Sequence, residues 1–151
     1  MVKRRSAVAM TDAEVALFLE ESRTMVLASI LPGGRPHLVA MWYALIDGTV
    51  WCWTYRSSQK AVNLARDPRV TALVEAGESY EELRGVTLYA TAHLHREIEA
   101  VERVGSALLA RYSIGNVEPA DFLASAPKRV AVSLEVGRVA SWDHRKLGGR
   151  Y

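Results

Sequence analysis

The chain has 151 residues, of which 50% are hydrophobic and 24% are charged, with a formal net charge of +2 and a pI of about 8.8. This composition is typical of a globular protein, and the charge is too small for a general nucleic-acid binder. The single cysteine, Cys52, excludes an internal disulfide. We expect neither a secretory signal nor a membrane span, which needs roughly 18 apolar residues. We therefore expect one domain over residues 1–151, in the cytoplasm, with no nucleic-acid or membrane partner.

The predicted elements alternate between strands and short helices. Thr11 and Glu14 form a capping box that begins the first helix, and Asp47-Gly48 is a strong hairpin turn. Apolar spacing predicts, in chain order, a helix over 12–22, strands over 24–31, 35–46 and 49–55, a helix over 58–66, strands over 70–75 and 83–95, a helix over 97–112, an irregular segment over 113–127 and a strand over 129–139. Six strands joined mostly by tight turns predict a mainly β fold, a six-stranded antiparallel barrel with peripheral helices.

The helix predicted over residues 58–66 begins with a concentration of polar side chains. Ser57 or Ser58 is a natural N-cap, and the first turn of a helix presents free amides and a positive partial charge to an anion. Lys60 and Asn63 share a helix face because they are three residues apart. The side chains that would suit a phosphate there are those of Thr54, Arg56, Ser58 and Lys60. The alternative is an ordinary capped helix whose lysine and arginine are solvated.

An aromatic strand lies directly before this helix. Trp51, Trp53 and Tyr55 alternate with smaller residues and therefore share one face of their strand. The strand predicted over residues 35–46 also alternates. A flat ring system could lie against such a wall while its phosphate reached the helix, although the aromatic side chains could equally be barrel core.

Residues 28–75 carry an ordered set of short motifs: G-R-P-H, W-Y, D-G, T, S-x-K-x-x-N-L and D-P-R-V. In this order they resemble the split-barrel flavin-binding superfamily typified by pyridoxamine 5'-phosphate oxidases. The resemblance is closer to the actinobacterial branch that uses the deazaflavin coenzyme F420. The chain lacks the long N-terminal region and the arginine-rich C-terminal motif of true pyridoxamine-phosphate oxidases, so vitamin B6 oxidation is not expected.

The resemblance implies a split barrel that forms a homodimer with two cofactor sites at the subunit interface. The positions that match the cofactor-phosphate segment and its neighbours are Thr54, Arg56, Ser58, Gln59, Lys60 and Asn63. The positions that match the strand lining the ring system are His37, Val39, Ala40 and Met41. The tail positions that could come from the other subunit are Trp142, Arg145 and Lys146.

The activity implied by this resemblance is hydride transfer from reduced F420 to a small conjugated substrate of the enone, quinone or tetrapyrrole type. A basic groove would suit the acidic polyglutamate tail of that cofactor. The side chains that could form it, or could simply be solvated, are Lys3, Arg4, Arg5, Arg66, Arg69, Arg145, Lys146 and Arg150. No catalytic residue is identified, and the possible proton donors, each more readily explained as structural, are His37, Tyr43 and Tyr89.

Three alternatives stay open. The chain could be an FMN-dependent oxidoreductase, or a non-catalytic protein of the same fold that binds a flavin, haem or pyridoxal phosphate. His93, His95 and Glu97 could also suggest a metal site, because histidine is a common metal ligand. A third ligand separated in sequence is not evident, so we expect no metal.

Overall fold

A curled antiparallel sheet carries the fold, and the computed structural model describes residues 4–149 of the chain. Its strands are β1 (Met25–Ile30), β2 (Pro36–Met41), β3 (Ala44–Ile46), β4 (Thr49–Tyr55), β5 (Arg69–Ala76), β6 (Arg84–His95) and β7 (Arg129–Asp143). The α-helices are α1 (Arg4–Ala7), α2 (Asp12–Glu21), α3 (Gln59–Arg66), α4 (Ile98–Arg111) and α5 (Pro119–Leu123). Short 3-10 turns cover Tyr80–Glu82, Ala126–Lys128 and His144–Leu147. None of the helices in this part of the chain is long and apolar enough to cross a bilayer.

The strand order is β2-β1-β5-β6-β7-β4-β3, so the two edge strands of the sheet are neighbours in sequence. This is the half-barrel of the split-barrel fold, and the predicted mainly β class is confirmed. The predicted number of six strands is too low, because the strand predicted over residues 35–46 is two strands in the structure. The interruption falls at Trp42 and Tyr43, where the chain crosses from one edge of the sheet to the other.

A cluster of aromatic side chains causes this interruption. Trp42 stacks on Tyr112 with ring centroids 4.4 Å apart and planes 9° from parallel. The Tyr43 amide donates to the Tyr112 hydroxyl at 3.1 Å, and that hydroxyl lies 2.8 Å from the Tyr43 carbonyl oxygen, to which it donates. The Tyr112 side chain therefore occupies backbone groups that a continuous strand would pair with its neighbour.

Two hydrophobic clusters lie on opposite faces of the sheet. The larger one fills the inside of the curl, where side chains of β1, β4, β5 and β6 meet Phe18 and Leu19 of α2. The smaller one lies between α4 and the outer face of β4 and β7, where Val104 and Leu108 pack with Trp53. Helix α4 thus packs against the aromatic strand β4 on the outer face of the sheet.

Gly105 allows α4 to approach Trp53 closely. A Cβ at this position would lie 2.7 Å from Trp53 Cζ3 and 2.9 Å from Leu123 Cδ2. Gly105→Ala should therefore lower the free energy of unfolding by about 1 kcal/mol, because overpacking outweighs the gain in helix propensity. Urea unfolding of this variant beside Ser106→Ala, an exposed change on the same helix, tests the expectation. Equal stability of the two variants would contradict it.

Strand β7 is longer than predicted. The expected end was Val139, but residues 140–143 continue to pair with residues 84–87 of β6. A register shift between Tyr89 and Ala90 absorbs the extra residue around Gly137. The C-terminal turn is thereby carried to the far end of the sheet, against the N-terminal segment, where the Asp143 amide donates to the Val8 carbonyl at 2.7 Å.

Asp143 makes folding sensitive to acid. Arg145 donates two hydrogen bonds to its carboxylate, at 2.9 and 2.7 Å, and these lower the pKa of Asp143 below its ordinary value of 3.8. The unfolded chain then binds the proton more readily, so the stabilisation is present above about pH 4 and is lost as pH falls below it. We expect Asp143→Asn to be less stable at pH 7 and to show a shallower loss of stability between pH 5 and pH 2 than the parent. If the urea midpoints of the parent and the variant fell by the same amount between pH 5 and pH 2, this expectation would be wrong.

Candidate functional site

A cavity of about 330 Å³ opens between the edge strand β2 and the end of β4. It is lined by five of the cofactor-binding residues that the resemblance implied, which are Val39, Ala40, Met41, Thr54 and Lys60. The other lining side chains are Trp42, Trp53, Tyr55, Leu108, Phe122 and Arg129. The cavity therefore joins the predicted ring-binding strand to the predicted phosphate segment.

The shortness of β3 produces this opening. It pairs only with residues 49–51 of β4, so residues 52–55 have no strand partner on that side within the described chain. Strand β2 likewise pairs with β1 alone. An edge strand leaves every second amide and carbonyl without a partner in the sheet, so both walls offer backbone donors and acceptors as well as side chains.

The first turn of α3 forms the cationic end of the cavity. Ser58 is the N-cap, and its hydroxyl oxygen accepts from the Ala61 amide at 3.3 Å and lies 3.0 Å from Thr54 Oγ1. The first-turn amides of Gln59 and Lys60 have no intrahelical acceptor by helix geometry. Within the described part of the chain, no carboxylate forms an ion pair with Lys60. Amides, hydroxyls and an uncompensated ammonium together suit an oxyanion such as phosphate.

Arg129, at the start of β7, was not identified from the sequence. Its guanidinium carbon lies 4.4 Å from the centroid of Trp53 and 4.2 Å from that of Tyr55. Its Nε donates to Ser125 Oγ at 2.8 Å, and burial lowers the pKa of the guanidinium below its usual range. No local pattern marks such an arginine, because its cavity partners come from β2, β4 and α3.

Asn63 is placed inside the protein, with none of its surface exposed. Its Nδ2 donates to Ser29 Oγ at 3.0 Å, and its Oδ1 accepts from Gln59 Nε2 at 2.8 Å. Both polar atoms are thus used within the protein, and they attach α3 to β1. Asn63 and Gln59 position the helix rather than line the cavity.

Arg56 and His37 lie beside the cavity. Arg56 Nε donates to the Arg129 carbonyl at 3.0 Å and its Nη2 to the Arg96 carbonyl at 3.3 Å. Its guanidinium is therefore hydrogen-bonded to the backbone. His37 lies two positions before Val39 and faces the same side of β2. Its Nδ1 is buried without a hydrogen-bond partner among the described residues, and His37 does not line the cavity.

The three tail residues lie away from the cavity of their own chain. Trp142 packs over Gly85, on the part of β7 that pairs with the start of β6. Arg145 forms an ion pair with Asp143. Lys146 Nζ donates to the Ala9 carbonyl at 2.8 Å and to Glu14 Oε2 at 2.6 Å. Lys3 and Arg150, which the sequence suggested for a basic groove, lie outside the described residues.

The structure gives other roles to the candidate proton donors and to the two histidines of β6. The Tyr43 hydroxyl donates to the Leu19 carbonyl inside the protein, and burial raises its pKa to about 12. Tyr89 lies on the outer face of the sheet beneath Arg138. His93 contacts Glu135 and His95 contacts Ser133. The described residues contain no group of three side chains able to hold a metal ion.

An apolar and aromatic cavity with a cationic helix end is suited to a flat ring that carries a phosphate, and the residues present fit a flavin-type cofactor. The fold is thus that of the split-barrel proteins. The sequence signature of pyridoxamine 5'-phosphate oxidase matches residues 11–143, and the chain belongs to this family. The resemblance found in the sequence is confirmed. No curated protein matches the chain.

Three solved structures place the fold among its relatives. A conserved hypothetical protein of Mycobacterium tuberculosis is 46% identical over 99% of this chain and 95% of that one, with a TM-score of 0.89. An F420 reductase is 22% identical over 82% of this chain and 93% of its own, with a TM-score of 0.63. A haem-binding protein of Mycobacterium smegmatis is 21% identical over 92% of this chain and 60% of its own, with a TM-score of 0.67. The last two likenesses concern the fold.

Proposed function

We propose that this protein is an F420H2-dependent reductase that transfers a hydride to a small conjugated substrate of the enone, quinone or tetrapyrrole type. The observation that carries the proposal is the Lys60 ammonium, which has no ion-pair partner in the described chain and stands at a helix N-terminus beside an apolar cavity. The ordered motifs of residues 28–75 favour a deazaflavin over FMN, and the F420 reductase of the same fold is consistent with that choice.

The chain contributes binding, orientation and exclusion of water in this proposal. Lys60, Ser58 and the first-turn amides of α3 would hold the phosphate, and the edge of β2 from Val39 to Met41 would hold the ring plane. The reduced deazaflavin supplies the hydride when it is bound. No side chain with a neutral-range pKa is required, and the accompanying proton can come from solvent.

A homodimer is part of the proposal. The outer face of the sheet carries a row of residues at opposed register positions, which are Leu38, Ala28, Thr71 and Tyr89. Leu38 is 62% exposed and Tyr89 is 40% exposed, and the face is indented by a cavity of about 560 Å³. A second copy that covers this face could bring Trp142 towards the ligand, whereas Lys146 would first have to leave Glu14.

Leu38→Glu is expected to shift the protein from dimer to monomer, because a buried unpaired carboxylate is costly at an apolar interface. Sedimentation velocity at several protein concentrations measures the change. Glu75→Gln, which changes an exposed residue of β5, is the control variant and is prepared and measured in the same way. A monomeric parent protein would contradict the dimer.

FMN-dependent oxidation, or flavin or haem binding without turnover, is the second candidate. The haem-binding protein of the same fold is consistent with it. The same cationic end would receive the FMN phosphate or a haem propionate.

Fluorescence titration of the protein with F420 and with FMN, each at two salt concentrations, tests the proposal. Salt-sensitive binding of F420, followed by oxidation of F420H2 with a quinone such as menadione, would support the reductase. Preference for FMN would favour the oxidase-like alternative. Binding of F420 without turnover on any conjugated acceptor would favour a carrier.

A further inference from the structure

The cavity holds two cationic side chains, and the phosphate site accounts for only one of them. Lys60 stands at the start of α3, whereas Arg129 enters from the start of β7, beside Phe122 of α5 and the aromatic residues of β4. In the described part of the chain neither forms an ion pair with a carboxylate. A phosphodiester carries one negative charge, so one that pairs with Lys60 would leave the charge of Arg129 uncompensated.

The surroundings of Arg129 hold its guanidinium in one orientation. Trp53 and Tyr55 lie within 4.4 Å of its central carbon, and Ser125 accepts from Nε. A guanidinium has five N–H donors, so the four on its terminal nitrogens remain for the cavity side and for the Tyr55 phenol. Desolvation disfavours its charged form, as the lowered pKa indicates. An anionic partner would offset that cost, and residues 4–149 do not supply one.

We propose that Arg129 binds a second anionic group of the ligand, a carboxylate that lies beyond the phosphate held by Lys60. This inference rests on the proposed function and makes it more specific. The carboxylate has two possible sources, the glutamate tail of the deazaflavin cofactor or an acidic group on the hydride acceptor. A planar arginine suits either one, because it can donate two parallel hydrogen bonds to a carboxylate.

Binding measurements on Arg129→Gln test the inference. The probes are F420 with its glutamate tail, and the deazaflavin 5'-phosphate, which keeps the phosphate but lacks the tail. If the tail is the source, the variant should bind F420 at least about tenfold more weakly, which corresponds to the loss of one charge-assisted hydrogen bond. Its affinity for the deazaflavin 5'-phosphate should stay within about twofold of the parent. Arg129→Lys, which retains the charge, should be intermediate.

A matched control separates a specific contact from general attraction. Lys128→Gln removes the same charge at the neighbouring position, but from an exposed side chain that does not line the cavity. This control should bind F420 much more tightly than Arg129→Gln. Equal losses in both variants would show a general electrostatic effect and would overturn the inference.

Each of the remaining outcomes also supports or overturns the inference. Unchanged F420 affinity in Arg129→Gln, with a raised KM for a carboxylated quinone but not for menadione, would assign the carboxylate to the acceptor and support the inference. Equal weakening of F420 and the deazaflavin 5'-phosphate would mean that Arg129 binds the phosphate or only supports Trp53 and Tyr55, and would overturn it. Unchanged F420 affinity and unchanged KM values would overturn it as well. Failure of the parent protein to bind F420 or FMN would instead contradict the proposed function, and the inference with it.

Discussion

Lys60→Ala is expected to weaken the binding of F420, or of FMN, by about 10- to 100-fold, because one charge-assisted contact to phosphate is lost. The ammonium has no ion-pair partner in the described chain, so its removal breaks no salt bridge and should leave the unfolding midpoint unchanged. The salt dependence of binding should also become smaller, since one cation no longer contributes to the attraction. Fluorescence titration at two salt concentrations measures both effects.

Lys128→Ala is the matched control for this experiment. Lys128 is exposed in the turn before β7 and does not line the cavity, yet its removal changes the net charge equally. The control should bind the cofactor within about twofold of the parent, as expected for a solvent-screened charge. If Lys60→Ala also behaved in this way, α3 would be an ordinary capped helix, and the proposed phosphate site would be wrong.

Asn63→Ala is expected to lower the free energy of unfolding by about 2 kcal/mol in the absence of any ligand, because it leaves buried hydrogen-bonding groups without partners. Ser29 Oγ loses its donor and Gln59 Nε2 loses its acceptor. Helix α3 is then less firmly attached to β1, so cofactor affinity should fall as a secondary effect. Urea unfolding of the ligand-free protein measures the primary effect.

A double-mutant cycle with Ser29→Ala identifies the contact that is responsible. Since Ser29 and Asn63 share a hydrogen bond, their effects on stability should be less than additive. Unchanged stability of Asn63→Ala together with a large loss of cofactor binding would instead mean that Asn63 contacts the cofactor directly, as its position in the sequence motif implied.

Most helices and strands could be predicted because their signals are local. The capping box at Thr11 is present in the structure, and Ser58 caps α3 as one of the two serines suggested. The break between β2 and β3 could not be predicted, since the apolar alternation continues through Trp42. Its cause is Tyr112, whose hydroxyl binds the Tyr43 backbone from a helix end 69 residues further along the chain.

The residues of the candidate site that lie close together in sequence could be predicted. Those that only the fold brings together could not. Thr54, Ser58 and Lys60 belong to one strand–helix connection, so a motif could identify them. Arg129 reaches the same cavity from the last strand, through stacking on β4 that has no sequence signature. Conversely, Asn63 belongs to the motif, but its side chain is buried and donates to Ser29 instead of lining the cavity with Lys60.

The crossing at Trp42 and Tyr43 has a consequence for self-association. An open sheet has two edges that can recruit strands from other molecules, and long apolar edges are aggregation-prone. Strand β2 has the sequence PHLVAM and carries no lysine, arginine or acidic residue to prevent such pairing. Only two residues separate it from β3, so the two edges lie at most about 11 Å apart where the chain crosses. The connecting residues themselves span this gap, so a strand added to β2 would have to end at Met41 and could not continue past the crossing.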